Sequence, residues 1–346
     1  MRRSSFWVQL SIIFLGTFLF SLSCAAAKPI KLSYSVFFPA THGQAKLAVE
    51  WAKEIEKRTQ GEVKITVFPG SALLGANQTF DGVRVGIADI GMSCFAYNRG
   101  RFPVMEVVDL PMGYPNGLTA TRVINEFYAK TKPQELQHVQ VLYLHAHGPG
   151  LLLTKKPIYR LEDLKNQKIR STGISAQIVS ALGGVPVAMP QPMTYEALQK
   201  QIINGTFGPI EVLKGWRQAE VIQYITDSTK IGYTVGMYVV MNPKKWNQLT
   251  PTQQKIIQDV SAEWIDRHGM SWDSSDEEGK EFAATVGNKF ISLSLEEQER
   301  WVKAVRPILQ AYAQQVAKLK ISGKKNIDLL FALIQAHSSS ETGKKS

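Results

Sequence analysis

The chain is 346 residues long and carries 40 Lys and Arg against 29 Asp and Glu, a formal net charge of +11. That length is the size of two domains. The positive balance is spread along the chain, without a long Lys/Arg run or a nucleic-acid-binding motif; nucleic acid is set aside as a partner, and the charge is read as a solvated surface with some steering of anionic ligands.

The first residues are not part of the fold. Arg2 and Arg3 form a basic n-region, Phe6 to Leu22 an apolar h-region, and Ala25-Ala26-Ala27 an A-x-A site, which predicts a secretory signal cut after Ala27 and a periplasmic protein. The segment is short for a membrane span. Cys24 offers an alternative lipidation site, but Ser21 stands where a lipobox has leucine, and the twin arginines lack a correctly spaced Phe-Leu, so ordinary unfolded export is expected. Cleavage leaves 319 of the 346 residues and a net charge of +9, because the segment holds two arginines and no acid. Cys94 is then the only cysteine, so no intrachain disulfide can form and stability must come from two ordinary cores.

Ile30 to Val36 alternates as a half-buried strand, and Thr41 can cap a helix through Thr59 whose core stripe is Ala48, Trp51, Ala52 and Ile55. Val63 to Phe68 makes the next strand, Gln78 to Val85 a helix, and Ile87 to Met92 a short apolar run typical of a buried parallel strand. This β-α-β-α-β opening implies an α/β sheet with helices on both faces, where ligands bind beyond the carboxyl ends of the strands. Val107 to Met112, a helix from Leu118 to Thr131 and a strand from Val139 to His145 continue the pattern. His147-Gly148-Pro149-Gly150 then breaks the chain before Leu151 to Thr154, and the first crossing between domains is placed there.

The second domain contains the stretch that most suggests chemistry. Leu161 to Leu164 makes a helical turn, Ile169 starts a brief strand, and Ser171-Thr172-Gly173 breaks it before a helix over Ser175 to Leu182. Arg170 therefore sits at a strand end facing a helix N-terminus. A planar guanidinium there can give a carboxylate two parallel N–H bonds, helped by nearby amides; the alternative is an arginine paired with a structural Asp or Glu. Val185 to Met189, a helix over Tyr195 to Asn204, and the region from Gly205 to Trp216 follow, and Ile231 to Met241 reads as a strand returning to the first domain. Thr250-Pro251-Thr252-Gln253 starts a helix that runs to about Val286, roughly 50 Å at 1.5 Å per residue and long enough to lie across both domains. Ser294 opens another through Trp301, Val305, Leu309 and Val316. The expected division is 28–148 with 238–280, 149–237 with 281–335, and a disordered tail over 336–346.

Phe37, Phe38, Tyr97, Phe207 and Trp216 fall at strand ends or turns, where a cleft between two α/β domains has its walls and an aromatic side chain can stack on a ring. Glu211 and Lys214 flank one of those turns, either to read a polar group or as a hinge ion pair. His145 and His147, two apart, could face a metal together, but no further ligand stands at a convincing spacing. Cys94 reads as a small buried thiol. G-x-S-x-G, H-E-x-x-H, P-loop and G-x-G-x-x-G are absent from the mature chain, so ligand capture is a simpler function than catalysis.

P-A-T-H-G-Q-A-K-L-A, G-I-A-D-I-G, V-D-L-P-M, L-E-D-L-K-N-Q-K-I-R, Y-E-A-L-Q-K-Q-I-I-N-G and W-N-Q-L-T-P-T-Q-Q-K-I-I together resemble the substrate-binding proteins of tripartite ATP-independent periplasmic (TRAP) transporters, of the dicarboxylate-binding (DctP) type, over nearly the whole mature chain. The resemblance implies a two-domain Venus-flytrap fold with a long helix spanning both domains, no cofactor, no metal and no enzymatic activity. It also implies closure around an organic acid whose carboxylate meets Arg170, and transient docking on TRAP membrane subunits. The family's frequent second arginine falls near Gly150, where this chain has none, and its V-D-G-x-E reads T-F-G-P-I-E, keeping only Glu211. A pocket with one cation and with Leu151, Phe207 and Trp216 nearby should take an apolar or aromatic monocarboxylate. The expected ligand contacts are Arg170, Phe38, Tyr97, Ser171, Phe207, Glu211 and Trp216. The alternative is a periplasmic ligand sensor, or an enzyme on the same fold.

Overall fold

The computed structural model describes residues 28–342, with side chains to residue 339; the predicted signal segment and its cleavage site lie outside the described residues. The opening alternation is realised as β1 (Ile30–Val36), α1 (Gly43–Arg58), β2 (Val63–Phe68), α2 (Thr79–Val85) and β3 (Ile90–Cys94), with β1 parallel to both β2 and β3. The cap of α1 is His42 rather than Thr41: its Nδ1 accepts from the Gln44 amide at 3.2 Å. The third strand starts later than Ile87 because Gly86, at φ 86°, ends α2 in a left-handed turn and leaves Ile87 60% exposed.

α3 (Gly117–Thr131) and β4 (Gln140–Ala146) complete the first half of the chain. Val107 to Met112 is no strand. It begins as a 3₁₀ turn over Met105–Asp109, and the free edge of β3 is taken instead by β10 (Gly236–Met241). β10 runs antiparallel between β3 and β4, giving the order β2-β1-β3-β10-β4. A 3₁₀ turn at Thr229–Ile231 precedes β10, so the returning strand is shorter than Ile231 to Met241.

The second unit is built from β5 (Leu151–Thr154), β6 (Lys168–Ser171), α4 (Gly173–Ala181), β7 (Val185–Ala188), α5 (Thr194–Gln199), β8 (Gly205–Gly208), α6 (Val212–Gly215) and β9 (Tyr224–Asp227). With β11 (Lys289–Ser292) its order is β11-β9-β5-β8-β6-β7, and β5 is antiparallel to both neighbours. The sheets are therefore mixed rather than parallel. The larger apolar core runs from the first sheet into one face of the second, so the two cores expected from the sequence are partly merged; a smaller cluster around Leu153, Leu198, Leu213 and Ile225 fills the other face.

After α7 (Pro243–Trp246), α8 (Pro251–Thr285) is capped as the sequence indicates: Thr250 Oγ1 accepts from Gln253 N at 3.2 Å, and Gln253 Oε1 from Thr250 N at 3.0 Å. It packs on α1, α3 and β4 in the first unit and on α6 in the second. Two glycines allow this. A Cβ at Gly269 would lie 2.8 Å from Leu118 Cα, and one at Gly279 would lie 2.5 Å from Ile210 O.

The C-terminal region departs from expectation. Pro307 divides the helix after Ser294 into α9 (Leu295–Val305) and α10 (Pro307–Ala317), since proline cannot supply the interior N–H. α11 (Gly323–Thr342) lies on α3 of the first unit, although residues 323–335 were expected with the second domain. The helix also continues through the serine-rich segment expected to be disordered: Ser338 and Ser339 hydroxyls donate to Ile334 O and Gln335 O at 2.7 and 2.9 Å, and His337 Nε2 lies 2.8 Å from Glu126. Residues 343–346 of that tail lie outside the described residues.

The contacts of α8 give a first prediction. A methyl at Gly279 meets backbone, which cannot swing aside like a side chain, so overpacking of about 1–3 kcal/mol outweighs the gain in helix propensity. Gly279→Ala should lower stability in denaturant titration, whereas Ser274→Ala on the exposed face of the same helix should stay within about 0.5 kcal/mol of the parent.

Candidate functional site

Strand alternation decides which residues of β6 reach the interdomain space. Ile169 and Ser171 point to one face and Arg170 to the other. Ser171 is therefore not where the sequence reading put it: it is fully buried away from the cavity, its Oγ 3.4 Å from Ile169 O, and Thr172 lines the cavity instead. Arg170 is 6% exposed, and its Nε donates to Met189 O at 3.0 Å. No ion pair and no second hydrogen bond of Arg170 occurs among the described residues. The reading of Arg170 as half of a structural ion pair thus finds no acid to support it. A guanidinium taken out of water without a counter-ion is costly, and its two terminal amino groups remain available to the cavity.

The cavity lies between the two sheets and has a volume of about 30 Å³. Phe37, Phe38 and Tyr97 line it from the first unit, and Phe207, Glu211 and Trp216 from the second. Phe37 and Trp216 stack across the interface with centroids 6.1 Å apart at 18°, so the cleft is nearly shut. Phe207 stacks on Tyr233 at 4.5 Å and 22°, and Trp272 of α8 closes one side. Arg170 is the only Lys or Arg among the lining residues. Two further donors in these walls are buried without a partner, Trp216 Nε1 and Gln191 Nε2. Leu151, expected near the pocket, belongs to the smaller core.

Position 150, where the resemblance puts a second arginine, has no room for a side chain. A Cβ there would lie 1.9 Å from Tyr233 Cε1, so the ring of Tyr233 occupies the space into which a side chain at 150 would project. No local pattern around Tyr233 in the sequence signals this, nor the presence of His147, Gln191 and Trp272 in the walls.

Glu211 lines the cavity but is already engaged. His42 Nε2 lies 2.9 Å from Glu211 Oε2, joining the N-terminus of α1 to that of α6 across the two units. Because His42 Nδ1 accepts from an amide, the proton is on Nε2 and the ring donates to the carboxylate as a neutral imidazole. The contact is thus a charge-assisted hydrogen bond rather than an ion pair. The Glu211 amide donates to Asp276 Oδ1 of α8 at 2.9 Å, and burial together with the Glu211 charge holds the Asp276 carboxyl well above its usual range. Lys214 turns outward to Glu278 at 2.9 Å, both exposed.

His145 and His147 have separate surroundings. His145 stacks on His268 at 4.7 Å and accepts from Trp272 Nε1 at 3.1 Å, and burial keeps it well below the usual histidine range. His147 faces the cavity, pushed down to about 4 by burial. No group of three or more metal-ligating side chains occurs among the described residues. Burial pushes the Cys94 thiol up to about 12, so it lines the cavity as a neutral thiol.

The family model described as bacterial extracellular solute-binding protein, family 7 (DctP) matches residues 34–315. A TRAP periplasmic solute binding protein from Desulfovibrio salexigens, solved as an open complex, is 32% identical, with 88% of this chain and 95% of that one covered and a TM-score of 0.77. A TRAP solute binding protein from Rhodoferax ferrireducens, solved with copurified benzoate, is 26% identical over 90% and 99% of the two chains, with a TM-score of 0.86. A marine-metagenome TRAP solute binding protein specific for aromatic acid ligands, solved with 3-hydroxybenzoate, is 25% identical over 90% and 99%, with a TM-score of 0.85.

The His42–Glu211 geometry makes its own prediction. Glu211→Gln keeps an oxygen that can accept from Nε2 and should cost no more than about 1 kcal/mol. Glu211→Ala leaves a buried N–H unpaired and should cost about 1–3 kcal/mol. Thermal and urea denaturation of both variants measure the difference; equal losses would mean that the contact contributes only packing.

Proposed function

The chain belongs to bacterial extracellular solute-binding protein family 7, the periplasmic organic-acid receptors of TRAP transporters, and from that premise we propose that it captures an aromatic or apolar monocarboxylate on Arg170. The observation that carries this reading is the buried guanidinium of Arg170, which has no acidic partner among the described residues and opens on a cavity walled by Phe37, Phe38, Tyr97, Phe207 and Trp216. A carboxylate supplies the absent counter-ion and can accept two parallel bonds from the fork. The aromatic walls then receive the apolar remainder of the ligand. Tyr233 in the place of a second cation argues for one carboxylate rather than two. Benzoate and 3-hydroxybenzoate in related receptors agree with that chemistry. Delivery of the bound acid to TRAP membrane subunits completes the proposed role. No described helix is long and apolar enough to cross a membrane.

Calorimetric titration with benzoate, phenylacetate and succinate tests the reading. An aryl monocarboxylate should bind and succinate should bind far more weakly. Arg170→Ala should cost about 2–5 kcal/mol of binding, and Arg170→Lys should also be damaging because an ammonium cannot reproduce the fork. Trp216→Ala should weaken an aromatic acid by about 1–3 kcal/mol and a short aliphatic acid much less. Undiminished carboxylate binding by a folded Arg170→Ala variant would overturn the assignment.

The proposed export step is checked separately. Protein recovered from the periplasm should have the intact mass of a chain beginning at Lys28; a diacylglyceryl mass on Cys24 would establish lipidation instead.

A further inference from the structure

We propose that Tyr97 is a positioning residue for the cleft: its hydroxyl locks the segment Met189–Gln191 of the second unit onto the first and, through that segment, aims the Arg170 guanidinium. This deepens the Arg170 reading above and rests on it. Tyr97 ends the 3₁₀ turn Phe95–Tyr97 that follows β3, and Gln191 opens the 3₁₀ turn Gln191–Met193 in the second unit. The Gln191 amide donates to Tyr97 Oη at 3.2 Å. As the first residue of a helical turn, Gln191 has an N–H with no partner inside that turn, and the residue is 7% exposed. Without the tyrosine hydroxyl, the shut cleft would bury an unpaired donor.

Two residues back, Met189 O is the acceptor that holds Arg170 Nε, at 3.0 Å. Only Pro190 separates the two bonds. Its ring fixes φ, here −62° with ψ 153°, and it confines Met189, the residue before it, to extended backbone. The Met189 carbonyl and the Gln191 amide therefore move as one stiff piece, and a bond that fixes one fixes the other. Because a guanidinium is planar, fixing the direction of its Nε–H sets the plane in which both terminal amino groups lie. The tyrosine is itself set by Phe37, whose ring meets it edge-on at 5.7 Å and 79°.

The Tyr97–Gln191 bond joins turns of different units, so it is complete only while the cleft is shut. Its loss should speed the release of ligand rather than slow its capture. The effect should also be indifferent to the ring of the ligand, since the hydroxyl acts on the arginine and not on the apolar remainder of the acid.

Stopped-flow and calorimetric measurements on protein recovered from the periplasm, with benzoate and with cyclohexanecarboxylate, test the proposal. Tyr97→Phe keeps the ring and removes the hydroxyl. It should raise the dissociation rate of both acids by the same factor, about tenfold, the scale of one buried hydrogen bond, and leave the association rate within about twofold. Urea denaturation of the ligand-free variant should match the parent. In the benzoate complex the Arg170 Nε–H proton should exchange with solvent at least about tenfold faster than in the parent, the signature of a loosened bond to Met189 O. Gln191→Pro removes the amide at a position where a helical turn tolerates proline, and Gln191→Ala removes only the side chain. In the Pro background Tyr97→Phe should add less than about twofold; in the Ala background it should keep its full effect. Should Tyr97→Phe not fold, the comparison of Gln191→Pro with Gln191→Ala carries the same test. An unchanged dissociation rate or an unchanged Arg170 proton exchange in Tyr97→Phe would overturn this inference and leave the Arg170 reading standing. So would a loss of ligand-free stability that accounts for the whole effect, or an undiminished effect in Gln191→Pro, which would mean that the hydroxyl touches the ligand directly. Failure of the parent to bind either acid would bring down both.

Discussion

The structure is organised around one unbalanced charge. Arg170 is 6% exposed, is oriented by a single backbone acceptor, Met189 O, and has no carboxylate partner among the described residues. In a protein whose only task was to fold, such a group would be paired or replaced by an apolar side chain. Here it stands at the end of β6, where strand alternation aims it between the two units, beside the aromatic walls. Removal of water strengthens a charge-assisted bond to an anion and makes the vacant closed cleft costly. Under the proposed function, a bound carboxylate would be the counter-ion of the closed form. A ligand that binds such a form better than an open one shifts the population toward closure.

The frame that brings the walls together is equally specific. α8 lies on both units, and its close approaches at Gly269 and Gly279 are to backbone, which fixes the helix rather than letting it slide. The His42–Glu211 hydrogen bond joins two helix N-termini across the units, and Asp276 of α8 accepts from the Glu211 amide. Glu211 is therefore held by α1 and α8 before any ligand arrives. That engagement leaves Arg170 as the lining cation with unspent hydrogen-bonding capacity, and under the proposed function it separates a residue that shapes the cleft from one that would bind.

Much of this was legible in the sequence, and the exceptions have identifiable causes. The long helix carried its own start signal in Thr250-Pro251-Thr252-Gln253, a local pattern that the structure satisfies atom by atom. Arg170 was found because a short strand broken by Ser171-Thr172-Gly173 places its penultimate side chain at a sheet end; the same alternation, applied one residue further, removes Ser171 from the cavity. Phe38, Tyr97, Phe207, Glu211 and Trp216 were singled out because turns at strand ends are where clefts form, and all five line the cavity. His147 could not be read this way. It lines the cavity only because of how the chain turns after β4, where its Nδ1 meets Gly148 O. Tail helicity was missed for a related reason: serines that read as polar linker bond back to Ile334 and Gln335.

Gly150 and Tyr233 show how two positions far apart in sequence can together limit the charge of a cavity. The glycine is obligatory because the Tyr233 ring fills the space a side chain would need. With that space taken by a stacked pair, Phe207 and Tyr233, the cavity has one cation and a long apolar perimeter. A dicarboxylate entering it would satisfy one end on Arg170 and bury the other among rings, near a glutamate already held by His42. The cost of that second, unpaired charge is larger than any gain from better packing of the first. Under the proposed function, selectivity in this pocket would be set less by attraction for an aromatic ring than by exclusion of a second negative charge, and a cavity can change ligand class by losing a cation without altering the arginine it keeps.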